Sequence, residues 1–383
     1  MVSSIAVKKT QFADDFKKLI EAENDQAMRS LRERAYDYFA ENGFPTPKLE
    51  DWKYTNVAEI GKQEWTAGRF GFEMPTMDDD VRDILGRFSI DRNGFTALNL
   101  ALAEVAVVRI PKNTVVEEPI EFPFAAPDGT AEFPHVIVIA EAGSRATLVG
   151  VYGSSARSFT NTAVQIIVED NANLTHYRVQ KESAEAFHYG VTEVSLGRGS
   201  YYNSTNINIG GAISRHDIDL KFTAEGGEAW VDGLYMLSGE QHADTHSIID
   251  HLVPNCTSHQ NYKGVLNDHS RGVFNGKVFV RENAHGTDAQ QSNKNLLLSN
   301  DARVDTKPQL EIFNDDVKCA HGATVGQLED EELFYLLTRG LPEPLARNLL
   351  TYGFAEEIIN KVGIESIKGE LDAAVLNRLK AEI

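Results

Sequence analysis

A repeat with a period of 28 residues is the sequence feature that most restricts the fold of this chain. Tight-turn sequences recur at this interval, and each has glycine or asparagine at its third place, as a turn with positive φ requires. The four clearest copies are Glu141–Ser144, Glu169–Ala172, Gly197–Ser200 and Glu225–Glu228. Looser turn sequences follow at 268–272 and 299–302. A period of about 20–50 residues made of strands and turns is typical of a solenoid or a propeller.

The segments that precede these turns repeat in register as well. Two apolar columns end each segment, and alternate positions are polar in several copies, which predicts strands with one buried face. The columns are Val138, Ile166, Val194 and Phe222, and Ala140, Val168, Leu196 and Ala224. A propeller blade needs four strands in roughly 40 residues, so a 28-residue repeat favours one coil of a β-helix. The ends of such a stack are exposed edges that need caps or partners.

Helical patterns flank the repeat on both sides. Apolar residues between Gln11 and Ala40 mostly recur at three- or four-residue steps, which predicts one or two amphipathic helices, and another short helix is predicted from Met77 to Phe88. Strands are expected after Phe95. Three further helices are predicted to begin at Asp330, near Pro342 and near Ile367. The predicted domains are therefore 1–95 (helical), 96–326 (β-helix core) and 327–383 (helical), and the terminal helices are the candidate caps.

Charge, cysteine count and missing motifs exclude several classes of function. The formal net charge of −20 disfavours binding to nucleic acid. Two cysteines are too few for a disulfide framework or for a four-thiolate zinc or iron–sulfur site. No apolar run is long enough to span a membrane, and Lys8 and Lys9 interrupt any secretory core, so we expect a cytoplasmic protein. There is no phosphate-binding loop, so any ATP hydrolysis must come from another protein.

The segment Asn314–Gly326 holds the strongest candidate site. Cys319 and His321 lie two residues apart where a strand pattern gives way to a helical one, so both side chains should point to the same side of a strand. A thiolate and an imidazole are ligands that metals and clusters use. Cys319 can also be read as a residue that only packs at an interface.

A second cluster of histidines lies earlier in the chain. His242, Asp244 and His246 share one face of a predicted strand and form a possible metal triad, although a polar outer face of the solenoid is the simpler interpretation. Cys256 is interpreted as a small buried residue rather than a reactive thiol. Trp52 and Tyr54 are interpreted as anchors against a neighbouring helix.

Three regions of the chain carry a set of motifs in a fixed order. They are Gly43–Pro47 with Glu50–Thr55, then His251, Pro254, Cys256, Ser258, Gln260, Tyr262, Lys263, Gly272, Phe274, Gly276, Gln290, Gln291 and Asn295–Ser299, and finally Pro308–Ile312 with Lys318–Gly326. The last of these segments is the most specific. Together these motifs resemble the SufD family, the scaffold subunit of an iron–sulfur cluster assembly complex.

The resemblance implies a mainly β protein with a right-handed parallel β-helix between helical domains. It also implies a non-catalytic scaffold that pairs with SufB through the core and docks the ATPase SufC on the C-terminal helices. The residues themselves allow two interpretations there: a small helical bundle, or a groove for a partner formed by Leu341–Glu343 with Ala346, Leu349 and Phe354. His321, with Cys319, would serve a cluster formed transiently at the SufB interface, and the chain alone would hold no cluster tightly. Two alternatives remain: a β-helix carbohydrate-active lyase or hydrolase, and a homodimer paired through its solenoid edges.

Overall fold

The computed structural model describes residues 12–71 and 77–378, and parallel strands dominate it. The strands are β1 (Thr66–Ala67), β2 (Glu104–Ile110), β3 (Ile120–Ala125), β4 (Thr130–Glu132), β5 (Pro134–Ala140), β6 (Arg145–Gly153), β7 (Phe159–Val168), β8 (Asn173–Gln180), β9 (Phe187–Leu196), β10 (Tyr201–Asn208), β11 (Ile213–Phe222), β12 (Glu228–Leu237), β13 (His242–His251), β14 (Thr257–Leu266), β15 (Arg271–Val280), β16 (Thr287–Leu297), β17 (Arg303–Ile312) and β18 (Val317–Gly326). The predicted mainly β class is confirmed.

The strands form two parallel sheets that face each other. The first sheet contains β1, β2, β4, β5 and the odd-numbered strands from β7 to β17, and the second contains β3 and the even-numbered strands from β6 to β18. Each coil contributes one strand to each sheet, and successive coils pair in parallel, which gives a β-solenoid of about eight turns. The predicted parallel β-helix core is confirmed.

The repeated turns stack on one another along one side of the solenoid. Gly143, Asn171 and Gly199 have positive φ, as their third place in the turn predicts. The N–H groups of these three residues donate to the carbonyl groups of the next turn at 2.9, 2.7 and 3.0 Å. In the fourth turn the positive φ belongs to Gly226 rather than Gly227. The strand spacing shortens there, because Leu196 pairs with Phe222 and not with a residue 28 positions later.

Within residues 12–71 and 77–102, five α-helices precede or interrupt the first coils: α1 (Ala13–Ala22), α2 (Gln26–Asn42), α3 (Ala58–Lys62), α4 (Asp79–Gly86) and α5 (Gly94–Leu102). The predictions for α1, α2 and α4 are confirmed, whereas Gln11 lies outside the described residues. The expectation of strands directly after Phe95 is wrong, because Gly94–Leu102 are helical. Every residue of α5 is buried, so the helix has no polar face and no amphipathic period. A capping box between Asn93 and Thr96 begins it.

The helix α5 fixes the N-terminal region to the outer face of the first sheet. The Asn99 amide donates to the carbonyl of Pro134 at 3.2 Å and to that of Asn161 at 2.7 Å. Trp52 stacks on Phe95 of this helix with ring centroids 5.4 Å apart, and the Arg215 guanidinium lies 3.7 Å from its ring. The interpretation of Trp52 as an anchor is confirmed.

In the described chain up to residue 378, three helices follow the last coil, as predicted: α6 (Asp330–Thr338), α7 (Glu343–Ile359) and α8 (Glu365–Arg378). The C-terminal half of α7 packs on the outer face of the second sheet, where Ile358 and Ile359 are fully buried in a cluster with Leu234 and Val265. Lys263 of β14 donates to Glu357 of α7 at 2.5 Å and to the carbonyl of Phe354 at 3.0 Å. No helix in the described ranges is long and apolar enough to cross a membrane.

The flanking helices cover the faces of the solenoid and leave its C-terminal end open, which corrects the expectation that they cap both ends. Within residues 12–71 and 77–378, β17 and β18 are the last strands of their sheets and each pairs on one side only. Nearly all of β18 is exposed. Helices pack well on the flat face of a sheet, and both α5 and the C-terminal half of α7 lie in this way.

Candidate functional site

The open end of the solenoid places Cys319 and His321 together on β18. Cys319 is paired with Ala289 and His321 with Gln291 of the preceding coil. Ala289 and Gln291 are both buried, so their side chains point into the solenoid. Because side chains keep their direction between paired strands, Cys319 and His321 also lie on the inner face. The prediction that the two side chains share one side of a strand is confirmed.

The two residues differ in exposure although they share a face. Cys319 is half-buried and packs against the core cluster of the solenoid, whereas His321 is exposed because no further coil covers it. Burial raises the pKa of the Cys319 thiol. Cysteine binds a metal as the thiolate, so Cys319 in the isolated chain is less ready to bind a metal than an exposed cysteine. His321 is the more accessible of the two candidate ligands.

The backbone of β18 is open to a further strand. The backbone N–H of Asp288 in β16 donates to the backbone carbonyl of Cys256 in β14. The odd-numbered residues of β16 therefore direct their N–H and C=O groups toward β18. By the same alternation, Cys319, His321 and Ala323 direct their N–H and C=O groups away from β16. These are the residues whose side chains point inward, so the exposed edge combines the candidate ligands with unpaired backbone groups.

The edge of β17 shows the same alternation and contains a proline. The backbone N–H groups of Arg303 and Phe313 donate to backbone carbonyls of the preceding coil. The even-numbered residues between them therefore direct their backbone N–H positions to the open side. Pro308 stands at one of these even positions, where its missing N–H costs no bond within the chain. Ile312, Phe313 and Val325 add an apolar rim, with 42%, 55% and 49% of their surface exposed.

The histidines of β13 do not form a metal triad. His242, Asp244 and His246 do share a face, but the Asp244 carboxylate accepts from Arg215 at 3.0 Å and from the Thr55 hydroxyl at 2.6 Å. Thr55 also lies 2.9 Å from the His242 ring. Across the described part of the chain, no group of three His, Cys, Asp or Glu residues is arranged to hold a metal ion. The N-terminal segment covers this face, so it is an interface within the chain rather than a solvated surface.

Two further sequence interpretations are resolved by burial. Cys256 is fully buried and not in a disulfide, as predicted. Of the candidate groove of the C-terminal helices, Leu349 is exposed as expected, whereas Ala346 is fully buried. The other exposed apolar residues there are Phe334, Tyr335 and Leu337 on α6, with 36–68% of their surface exposed.

The polar residues inside the solenoid were not identified from the sequence. Arg178 is buried and donates to Nε2 of His188 at 2.5 Å, and Nδ1 of His188 donates to Glu182 at 2.8 Å. Nearer the open end, Gln260 and Gln291 join in a second buried network. A signal was present, because polar residues recur at the inward positions of successive coils.

Two family models match this chain. The model described as "SUF system FeS cluster assembly, SufBD core domain" matches residues 124–354, and the model described as "SufBD protein N-terminal region" matches residues 5–82. The iron–sulfur cluster assembly protein SufD of Escherichia coli is 32% identical over 383 residues, which cover 88% of this chain and 90% of that protein.

Two other relatives agree with these matches. An iron–sulfur cluster assembly SufBD family protein of Synechocystis is 35% identical over 348 residues, which cover 87% of this chain and 76% of the relative. The iron–sulfur cluster assembly protein SufD of Bacillus subtilis is 30% identical over 304 residues, which cover 76% of this chain and 68% of that protein.

Proposed function

The chain belongs to the SufBD family of iron–sulfur cluster assembly proteins, and from this premise we propose that it is a non-catalytic scaffold subunit of the SufD type. It pairs with SufB through the open end of its solenoid and docks the ATPase SufC on its C-terminal helices. A nascent cluster is held transiently at the SufB interface, with His321 as its ligand from this chain. The observation that carries the proposal is the position of His321, inward-facing and exposed on an unpaired edge strand.

The ligand count supports a shared site. A cluster is held by about four thiolate or imidazole ligands, and this end of the chain offers Cys319 and His321. The remaining ligands must therefore come from a partner that approaches the same edge. The cluster is cargo in this scheme, because it forms at the interface and is passed on. Cys319 is the second candidate ligand, and its half-buried thiol also suits a packing role.

The geometry of the open end suits a partner with the same cross-section. Both sheets end in unpaired parallel strands at this end of the described chain, so a second solenoid can add strands to both sheets at once. SufB, a paralogue with the same core, meets this requirement. The apolar rim of Ile312, Phe313 and Val325 would be buried in such a joint.

The exposed face of α6 is the candidate docking surface for SufC. Phe334 and Tyr335 expose 68% and 56% of their surface on a helix that follows the cluster-bearing strand directly. Large exposed aromatic residues on a helix are typical of a protein-binding surface. This arrangement puts the ATPase within one helix of the cluster interface. The carbohydrate-enzyme alternative finds no support in the family relationship.

The first experiment tests His321 directly. The chain, SufB and SufC are co-expressed and purified together, and cluster formation is followed by absorbance after anaerobic supply of iron and sulfide. His321→Ala should leave complex formation and far-UV circular dichroism unchanged but lower cluster yield at least tenfold. His269→Ala, at an exposed histidine on a different turn, is the matched control. Equal yields for His321→Ala and the control would refute the site.

A second experiment tests the edge. Ala323→Pro removes an N–H that points to the open side, so the isolated chain should keep its fold while SufB no longer co-purifies. Thr324→Pro is the contrast, because its N–H faces β16 and its loss should destabilise the isolated chain. Normal SufB binding by Ala323→Pro would move the pairing surface away from β18.

A further inference from the structure

The inward position of His321 is the last of a column that runs through the second sheet. Parallel pairing joins each member to the one in the next coil, from β8 to β18. The column reads His176, Ser204, Val231, Gln260, Gln291 and His321. Paired positions in adjacent strands are about 4.8 Å apart, so the side chains of Gln291 and His321 are direct neighbours.

The two glutamines of this column form a hydrogen-bonded chain with one direction. The Gln260 amide nitrogen donates to the Ser247 hydroxyl at 2.9 Å. The Gln291 amide nitrogen donates to the Gln260 amide oxygen at 2.6 Å. The Gln260 amide thus donates across the interior to the opposite strand of its own coil, and its oxygen accepts from the coil that follows. The Gln291 amide donates to the preceding coil, which leaves its oxygen for the coil that follows. For Gln291 the following coil is the one that carries His321.

The amide oxygen of Gln291 is buried and has no hydrogen-bond partner among the residues that the structure describes. A buried acceptor without a donor destabilises the fold, so a donor from the following coil would be favourable. Gly276 of the opposite sheet leaves room for this amide, because a Cβ atom there would lie 2.3 Å from the Gln291 amide nitrogen. The Gln291 amide, fixed by its bond to Gln260, is thus a buried acceptor at the position paired with His321.

We propose that Gln291 is a positioning residue for His321. One ring N–H of His321 donates to the Gln291 amide oxygen, so the proton stays on that nitrogen and the other nitrogen keeps its lone pair. The second nitrogen is then directed to the open edge, where a metal-bearing partner would meet it. Residues that orient a histidine ligand in this way commonly contribute 10–100-fold to metal affinity or activity. The link to clusters rests on the proposed function, whereas the tautomer of His321 does not.

The tautomer is measurable in the isolated chain. Protein labelled with ¹⁵N-histidine is compared by two-dimensional NMR at a pH where the ring is neutral, and the His321 signals are assigned by their loss in His321→Gln. One ring nitrogen should show the shift of a protonated nitrogen and the other that of a bare one. In Gln291→Met the two shifts should move toward each other, as in a ring with both tautomers populated.

Two further variants separate positioning from packing. Gln260→Met should give an intermediate effect, because the Gln291 amide loses the acceptor that fixes its direction. Gln290→Met is the matched control, since Gln290 is the neighbour of opposite direction and bonds to Asp288 on the outer face. It should leave the His321 shifts unchanged. Identical His321 shifts in Gln291→Met and the unsubstituted chain would overturn the proposal, whatever His321 does in cluster assembly.

Cluster assembly supplies the second readout. In the complex with SufB and SufC, Gln291→Met should lower the rate of cluster formation about tenfold. A normal rate in Gln291→Met beside a failed His321→Ala would overturn the positioning role. A changed tautomer beside full activity of His321→Ala would leave Gln291 as the residue that orients His321 and would refute the proposed cluster site instead.

Discussion

Acidification should destabilise this protein through two histidines that are buried in the neutral form. Burial lowers the pKa of His176 to about 3 and that of His251 to about 4. The His176 ring lies 3.0 Å from the Tyr202 hydroxyl and the His251 ring 2.9 Å from the Ser258 hydroxyl, so each neutral ring has a hydrogen-bond partner on one nitrogen. An imidazole exposed by unfolding has a pKa of about 6.5.

The sign and size of the effect follow from these values. Below pH 6.5 the unfolded chain binds a proton at both histidines, whereas the folded chain does not until the pH reaches 4 or 3. The stabilisation is therefore complete above pH 6.5 and is lost as the pH falls through this window. At pH 5.0 each histidine lowers the free energy of unfolding by about 2 kcal/mol relative to pH 7.5, since each pH unit below 6.5 corresponds to about 1.4 kcal/mol. The pair costs about 4 kcal/mol, a large share of the roughly 5–15 kcal/mol that stabilise a typical protein.

Equilibrium urea denaturation at pH 7.5 and pH 5.0, followed by far-UV circular dichroism, measures this difference. The double variant H176Q/H251Q loses some packing at both pH values, so the quantity to compare is the change between them. That change should be about 4 kcal/mol smaller in the double variant than in the unsubstituted chain. H269Q alters a histidine whose side chain is 65% exposed and should leave the change as it is. An equal acid-induced loss in the double variant and the unsubstituted chain would refute the reasoning.

Two other predictions concern the turns and the C-terminal helices. Gly286→Ala should lower the free energy of unfolding by about 2 kcal/mol, because Gly286 has φ +69° and a Cβ there would lie 2.4 Å from a side-chain oxygen of the preceding turn. Gly322→Ala is the control and should lower the free energy of unfolding little, because a Cβ there would meet no atom within 4 Å. Equal losses of stability for the two variants in thermal denaturation would contradict this account. Lys263→Met should speed amide hydrogen exchange in α7, because it removes the buried ammonium that holds this helix to β14. Lys181→Met removes a solvent-exposed ion pair and should leave this exchange unchanged. Unchanged exchange in Lys263→Met would mean that apolar packing alone holds the helix.

The parts of the fold that could be predicted from the sequence are those with local causes. A turn with positive φ favours glycine or asparagine wherever it occurs, so the spacing of these residues predicted the coils without knowledge of any tertiary contact. The helices α1, α2 and α4 were predicted because each has one polar and one apolar face. The helix α5 was missed because it is buried on every side, and a short run of apolar residues suits a strand as well as a helix.

The candidate site divides in the same way. The spacing of Cys319 and His321 established that they share a face, because alternation is a property of a single strand. Their exposure could not be derived locally, since the same residues in an inner coil would be buried. Only the stacking of the coils shows that β18 is the last strand of its sheet within the described chain.

The neighbour of His321 was decided by tertiary structure alone. Strand pairing sets His321 opposite Gln291, 30 positions earlier. The number of residues from one coil to the next differs elsewhere, because Phe159 pairs with Phe187 but Arg271 pairs with Arg303. Turns of different length absorb these differences, and a shift of one residue would turn every side chain of a strand to the opposite face. The sequence alone therefore determined that a solenoid forms, and the packing of its inner and outer faces decided which residues meet.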